Sequence, residues 1–246
     1  MSEIKPQTYK DPRPPEAFAR FHERARTRDP DWAYTLVRSC TTPVALLLYR
    51  LRAIETGNVP LSGPVILAPN HFSNFDHFLM GTWIRRRIRF LAKSQIFGRN
   101  AVLDYIFSHG GVFPVRRGYG DEEAFETMDA ILRRGGCLLI YCEGGRSRSG
   151  ELGEPRPGVG RAALESGVPV IPVGIHGSQG IRSWRRLRFP KVRIHYGEPM
   201  RFDVVENPTR DQQMEAAAEI FAQVRELYEA LARDGRDAGA EGPTYS

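Results

Sequence analysis

From about Pro60 onward, short apolar runs alternate with stretches of helical spacing, and this alternation leaves few folds open. Runs at Val65–Ala68, Ile88–Ala92, Gly111–Val115, Cys137–Tyr141, Val168–Ile175 and Val192–Tyr196 read as strands. Between them, Phe75–Trp83, Ala101–Phe107, Asp121–Arg133 and Gly158–Ser166 read as helices, and Asp211–Ala232 as a long terminal one. The last has an internal check. Thr209 can cap it with Gln212, and Met214, Ala218, Phe221, Val224, Tyr228 and Leu231 recur on one face, a stripe for core packing. The expected class is α/β, a mixed and largely parallel sheet flanked by helices, with an N-terminal helical element for docking on a membrane.

At 246 residues the chain suits one domain with an appended element. Residues 1–57 are assigned to an N-terminal tail and docking element, 58–234 to the α/β domain, and 235–246 to a flexible tail. Residues 1 to about 14 read as disordered, and Pro15-Glu16 opens a short polar helix that ends before Asp29-Pro30. A net charge of +6 and a pI near 9.4 favour anionic partners. All but four of the 35 basic residues are arginine, which suits bidentate phosphate contacts and equally fits a compositional bias of the genome. Three cysteines argue for a reducing compartment, and no secretory signal is visible. The most apolar segment, Trp32–Ile54, is interrupted by Arg38, Arg50 and Arg52, and its uncharged run Ser39–Tyr49 is far shorter than the roughly 20 residues a membrane-crossing helix needs. It reads as an interfacial helix, or as an ordinary helix packed on the domain.

In open α/β sheets ligands gather where strands end, so the polar residues after each apolar run are the candidates. After Ala68 come Asn70-His71 and, five positions on from the histidine, Asp76. On one continuous helix of about 3.6 residues per turn these would diverge. If His71 stays in the turn, Asp76 in the first helical turn reaches back to Nδ1 and leaves Nε2 free as a base. Ser73-X-X-Asp76 also fits a helix-capping box, and both readings stand at this level. A metal site through His71, Asp76 and His77 matches no ligand spacing. After Val115 come Arg116-Arg117, and after Tyr141 come Cys142-Glu143-Gly144-Gly145-Arg146-Ser147, where glycines let backbone N–H groups approach a ligand. Glu143 could instead pair with Arg146, and nothing marks the Cys142 thiolate as stabilised. A base beside an oxyanion or phosphate cradle suits acyl or phosphoryl transfer.

Four blocks fall in one order: Asn-His-Phe-Ser-Asn-Phe-Asp at 70–76, Gly-Val-Phe-Pro-Val-Arg-Arg at 111–117, Glu-Gly-Gly-Arg-Ser at 143–147 and Val-Ile-Pro-Val-Gly-Ile at 170–175. Together, over roughly residues 60–200, the chain resembles the glycerolipid acyltransferase family that includes 1-acylglycerol-3-phosphate acyltransferases. The resemblance implies His71 as general base, Asp76 as its orienter and Arg117 on the acceptor phosphate, with Glu143, Gly144 and Arg146 shaping the acceptor site. It departs in two places. The third block of the family usually reads Phe-Pro-Glu-Gly-Thr-Arg, whereas here Tyr141-Cys142 precede Glu143 and Gly145 replaces the threonine. In the second block Arg116 stands where an acidic residue is common, so Arg116 and Arg117 both remain candidates for the phosphate.

The expected reaction moves a fatty acyl chain from acyl-CoA or acyl carrier protein to the free hydroxyl of a lysophospholipid, chiefly 1-acylglycerol-3-phosphate, giving phosphatidic acid. No metal or redox cofactor is expected, and the expected location is the cytoplasmic face of the cell membrane, peripheral or monotopic. Alternatives are another glycerolipid or glycolipid acceptor, a thioester or phosphoester hydrolase, and a non-catalytic binder of anionic lipid using Arg85-Arg86-Arg87 and Trp184–Arg188. Without a recognised nucleic-acid module, no nucleic acid is expected as partner.

Overall fold

The structure is a computed structural model, and it describes residues 10–117, 120–147, 149–182 and 189–240. Seven strands form one sheet: β1 (Arg52–Ile54), β2 (Val65–Pro69), β3 (Ile88–Lys93), β4 (Val112–Val115), β5 (Cys137–Leu139), β6 (Val170–His176) and β7 (Arg193–Tyr196). Their spatial order is β1-β7-β6-β2-β5-β3-β4, and every pairing is parallel except β6 with β7. The mixed, largely parallel sheet expected from the apolar runs is therefore present. Its central strand β2 is buried at every position, which is why Val65–Pro69 shows no alternation.

Among the described residues seven α-helices flank the sheet: α1 (Ala19–Thr27), α2 (Trp32–Leu47), α3 (Asp76–Trp83), α4 (Ala101–His109), α5 (Glu122–Arg133), α6 (Pro157–Ser166) and α7 (Arg210–Ala240). Successive side chains of a strand point to opposite faces, so β2 divides the core in two. Val65 and Leu67 pack with Tyr34 and Ala45 of α2 and Leu79 and Met80 of α3. Ile66 and Ala68 pack with Met128 and Ile131 of α5, Ala163 of α6 and Phe221 of α7. The capping box of α7 forms as expected, with Thr209 N–H on Gln212 Oε1 at 2.8 Å and Gln212 N–H on Thr209 Oγ1 at 3.3 Å. Helices α6 and α7 cross at Gly160, where a Cβ would stand 2.0 Å from the Gln213 carbonyl oxygen.

Three boundaries differ from the sequence expectation. First, the segment assigned to an appended element is built into the domain: β1 extends the sheet edge beside β7, and Tyr34, Ala45, Tyr49 and Leu51 are core residues. Arg52-Ala53-Ile54 is too short and too polar at its start to register as a strand by pattern. Second, Lys10–Pro14 is tied down, because Arg13 pairs with buried Asp11 at 2.7 Å and donates to the carbonyls of Ser94 and Phe97. Third, α7 continues to Ala240, past the expected start of a flexible tail at residue 235, since helix propagation costs little once a long helix is nucleated. Residues 1–9, 241–246 and the basic run Trp184–Arg188 lie outside the described residues. Among the described residues no helix is long and apolar enough to cross a membrane.

Candidate active site

The site forms at the carboxyl edge of β2 and β5. Beyond the formal strands the two chains stay paired, with Ile140 N–H on the Leu67 carbonyl at 2.9 Å and Cys142 N–H on the Pro69 carbonyl at 3.0 Å. On its other side Asn70 continues the ladder with its side chain: Nδ2 donates to the Ile175 carbonyl at 3.0 Å and Oδ1 accepts from Ile175 N–H at 2.7 Å. His71 is thus delivered between β5 and β6 on a fixed backbone, in the turn before α3.

Asp76 opens α3 and is fully buried. Its Oδ2 accepts three hydrogen bonds of 2.8 Å, from His71 Nδ1 and from the backbone N–H groups of Phe72 and Ser73. The capping box forms only in part: the carboxylate that holds the imidazole also accepts from Ser73 N–H, but Ser73 Oγ accepts from Phe75 N–H at 3.2 Å, and the amides bonded to Asp76 belong to the turn before α3. Because Nδ1 carries the proton toward Asp76, Nε2 is the basic nitrogen. Burial lowers the His71 pKa, Asp76 opposes this through its hydrogen bond and charge, and Arg146 and Arg117 lower it further. The imidazole is neutral at pH 7, as a proton acceptor must be.

Glu143 does not pair with Arg146. Its Oε1 accepts from His71 N–H at 3.1 Å and its Oε2 from Gly153 N–H at 3.0 Å, so it bridges two loops. Burial raises its pKa to about 7 against those two hydrogen bonds, with Asp76 adding to the rise. Ser147 N–H donates to the His71 carbonyl at 2.8 Å, closing the 143–147 turn onto the histidine. Gly144 makes that turn with φ +62°, a conformation few other residues adopt. Glu143 and Gly144 thus hold the shape of the 143–147 loop.

Arg117 and Arg146 act electrostatically on His71, and the Arg117 guanidinium lies against Gly145. The backbone of Arg116 is held separately, its N–H donating to Asp121 Oδ2 at 2.6 Å. Cys142 is buried and its thiol pKa is raised by burial, so it is a protonated packing residue. His77 meets the His71 ring edge at 5.3 Å, and burial with the charge of His71 lowers its pKa to about 4.

Tyr141 was not singled out by sequence reasoning. Its ring stacks on His71 with centroids 3.7 Å apart and planes 14° from parallel, and its buried hydroxyl has no hydrogen-bond partner among the described residues. Asn70 and Gly153 were missed as supports. The position of Tyr141, second after a strand end that faces the histidine strand, carries the signal only once the β2–β5 register is known. Among the described residues, no group of three or more His, Cys, Asp or Glu side chains could hold a metal ion.

The model of the acyltransferase family fits residues 50–176, and the chain belongs to that family. It is 29% identical over 163 residues to a probable 1-acyl-sn-glycerol-3-phosphate acyltransferase of Mycoplasma genitalium, covering 62% of this chain and 60% of that protein. It is 26% identical over 133 residues to the chloroplastic 1-acyl-sn-glycerol-3-phosphate acyltransferase LPAT1 of Arabidopsis thaliana, covering 53% of this chain and 37% of that one. The chain thus spans less than two thirds of either relative. Its fold is similar to that of the crystal structure of the 1-acyl-sn-glycerophosphate acyltransferase PlsC from Thermotoga maritima, with a TM-score of 0.61, 20% identity, and coverage of 86% of this chain and 87% of that chain.

Proposed function

We propose that the chain transfers a fatty acyl group from the thioester of acyl-CoA or acyl carrier protein to the free hydroxyl of 1-acylglycerol-3-phosphate, giving phosphatidic acid and a free thiol. The observation that carries this reading is the buried Asp76 on His71 Nδ1, which leaves Nε2 as a positioned base in the field of two arginines. His71 Nε2 takes the hydroxyl proton as the oxygen attacks the thioester carbonyl. The tetrahedral intermediate collapses by breaking its C–S bond, and the imidazolium returns the proton to the leaving thiolate. Both substrates balance without a metal or redox cofactor. Asp76 stabilises the transient imidazolium, which the positive end of α3 opposes by roughly 0.3–1 kcal/mol. Arg117 and Arg146 hold the acceptor phosphate, turning an encounter into a positioned attack. The names of the relatives support a phosphate-bearing acceptor.

The same reading puts the protein on the cytoplasmic face of a membrane, bound from one side. Trp32, Leu36, Leu47 and Leu48 of the α2 region are exposed, Leu47 at 77%, and Phe78 of α3 lies exposed two residues after Asp76. An open groove of about 440 Å³ beside α2 is lined by Arg38, Arg85 and Arg87, which suits anionic headgroups. Exposed apolar side chains interleaved with arginines are the pattern of interfacial binding.

Purified protein incubated with labelled acyl-CoA and a panel of lysolipids tests the reaction. Label should appear in phosphatidic acid. Label released as free fatty acid would make the chain a hydrolase, and label in an uncharged or sugar-bearing lipid would move the acceptor elsewhere.

A further inference from the structure

The two adjacent glycines of the 143–147 turn are there for different reasons. Gly144 has a left-handed backbone, which alone accounts for a glycine. Gly145 is outside the left-handed region, so its backbone accepts any residue. What a side chain would meet is a movable group: a Cβ built on Gly145 would stand 3.0 Å from Arg117 Nη1 and 3.8 Å from its Cζ, and meets no other atom of the described residues within 4 Å. The missing side chain at residue 145 is thus filled by one group, the guanidinium of an arginine delivered from the end of β4.

We propose that Gly145 is a specificity-setting position: by carrying no side chain it lets the Arg117 guanidinium lie on the 143–147 turn beside His71, and so fixes where the acceptor phosphate is bound. The inference rests on the phosphate-bearing acceptor proposed above and names the residue that places its arginine. The turn also carries Arg146 and is closed onto the His71 carbonyl by Ser147, so a guanidinium seated on it keeps a fixed relation to the base. Arginine is long and jointed. A methyl at residue 145 therefore shifts the guanidinium by a few tenths of an ångström and leaves the backbone alone, while a β-branched threonine pushes it further. The substitution thus acts on the position of the guanidinium.

The test compares Gly145→Ala, Gly145→Thr, Arg117→Ala and the double variant Gly145→Thr/Arg117→Ala, each checked by thermal melting. KM is measured for lysophosphatidate, for acyl-CoA and for monoacylglycerol, an acceptor without phosphate. Arg117→Ala should raise the lysophosphatidate KM by about ten- to a hundredfold, the range for losing a charge-assisted hydrogen bond. Gly145→Thr should raise it by about three- to tenfold, Gly145→Ala less, with KM for acyl-CoA and monoacylglycerol unchanged. The double variant should be no worse than Arg117→Ala alone, because the glycine acts only through the arginine. If Gly145→Thr does not fold, the Ala variant carries the same comparison. Arg117→Ala raising the acceptor KM while both Gly145 variants leave it untouched overturns the inference and spares the phosphate site. Additive losses in the double variant also overturn it. An Arg117→Ala enzyme with unchanged acceptor KM removes the phosphate site itself, and the inference with it.

Discussion

Replacing Asp76 by Asn separates the two duties of that carboxylate. Oδ2 accepts from His71 Nδ1, Phe72 N–H and Ser73 N–H, all at 2.8 Å, whereas buried Oδ1 has no partner. An asparagine with its carbonyl oxygen in the Oδ2 position keeps three acceptor contacts and places the amide nitrogen where Oδ1 was. The flipped amide would forfeit two backbone hydrogen bonds, so the first orientation is preferred and Nε2 remains the basic nitrogen. An amide N–H₂ without partners costs about 1–3 kcal/mol, which a domain stable by roughly 5–15 kcal/mol survives. What is lost is charge. A hydrogen bond to a charged group is worth about 1.5–3 kcal/mol against about 1 for a neutral one, so the imidazolium loses roughly 1–2 kcal/mol and turnover falls about five- to thirtyfold. The pH profile gives an independent sign. Asp76 raises the His71 pKa against burial, so its loss moves the acid limb of kcat/KM to lower pH. Acyl transfer measured from pH 4.5 to 8, alongside a thermal melt, checks both. A folded Asp76→Asn enzyme with wild-type turnover, or an acid limb displaced upward, would refute the reasoning. Asp76→Ala is the poorer probe, since it strands three donors at about 1–3 kcal/mol each.

Arg116→Ala should leave the KM of a phosphate-bearing acceptor within about twofold of wild type, since it is the Arg117 guanidinium that lies against the 143–147 turn, and acceptor kinetics damaged as in Arg117→Ala would relocate the phosphate. Stability should fall on acidification from about pH 6.5 toward 4: His22 and His77, each held at about 4, stay neutral in the fold while the unfolded chain takes up protons, at up to about 1.4 kcal/mol per pH unit each. Glu143, raised to about 7, works the other way, because its stabilising protonated form is lost as pH rises through 7. The two histidines outweigh it, and urea melts of wild type and His22→Leu should differ in slope by about one proton over that window. Placing carboxylates on the apolar membrane face, Leu36→Glu with Leu47→Glu, should weaken flotation with anionic liposomes while acyl transfer to a dispersed short-chain acceptor persists; equal recovery would shift docking to residues 184–188. Deleting residues 1–54 would be uninformative, because it removes β1 and the core residues Tyr34, Ala45, Tyr49 and Leu51.

The sheet was legible because its strands are buried on both faces and announce themselves as unbroken apolar runs such as Val65–Ala68. The strand Arg52–Ile54 was not, since an edge strand of three residues leaves no periodicity to count. His71 and Asp76 were readable as a pair from chain-local geometry, a turn followed by a helix start. The duties of Glu143, Tyr141 and Gly153 were hidden because each depends on which strands lie side by side. Glu143 reaches a backbone 72 positions away in sequence, and only the β2–β5 pairing brings the two together. Gly145 shows the same limit, since its missing side chain has meaning only against an arginine from another strand.

The most direct test of the account is labelled phosphatidic acid formed from acyl-CoA and 1-acylglycerol-3-phosphate by wild type and His71→Ala, measured side by side after matched thermal melts. Wild type should form the product, and His71→Ala should form it at least about 10²-fold more slowly, the loss expected for a general base. A His71→Ala protein that melts like wild type and turns over at the same rate would leave the His–Asp pair as a brace of the turn before α3 and take the chemistry away from it.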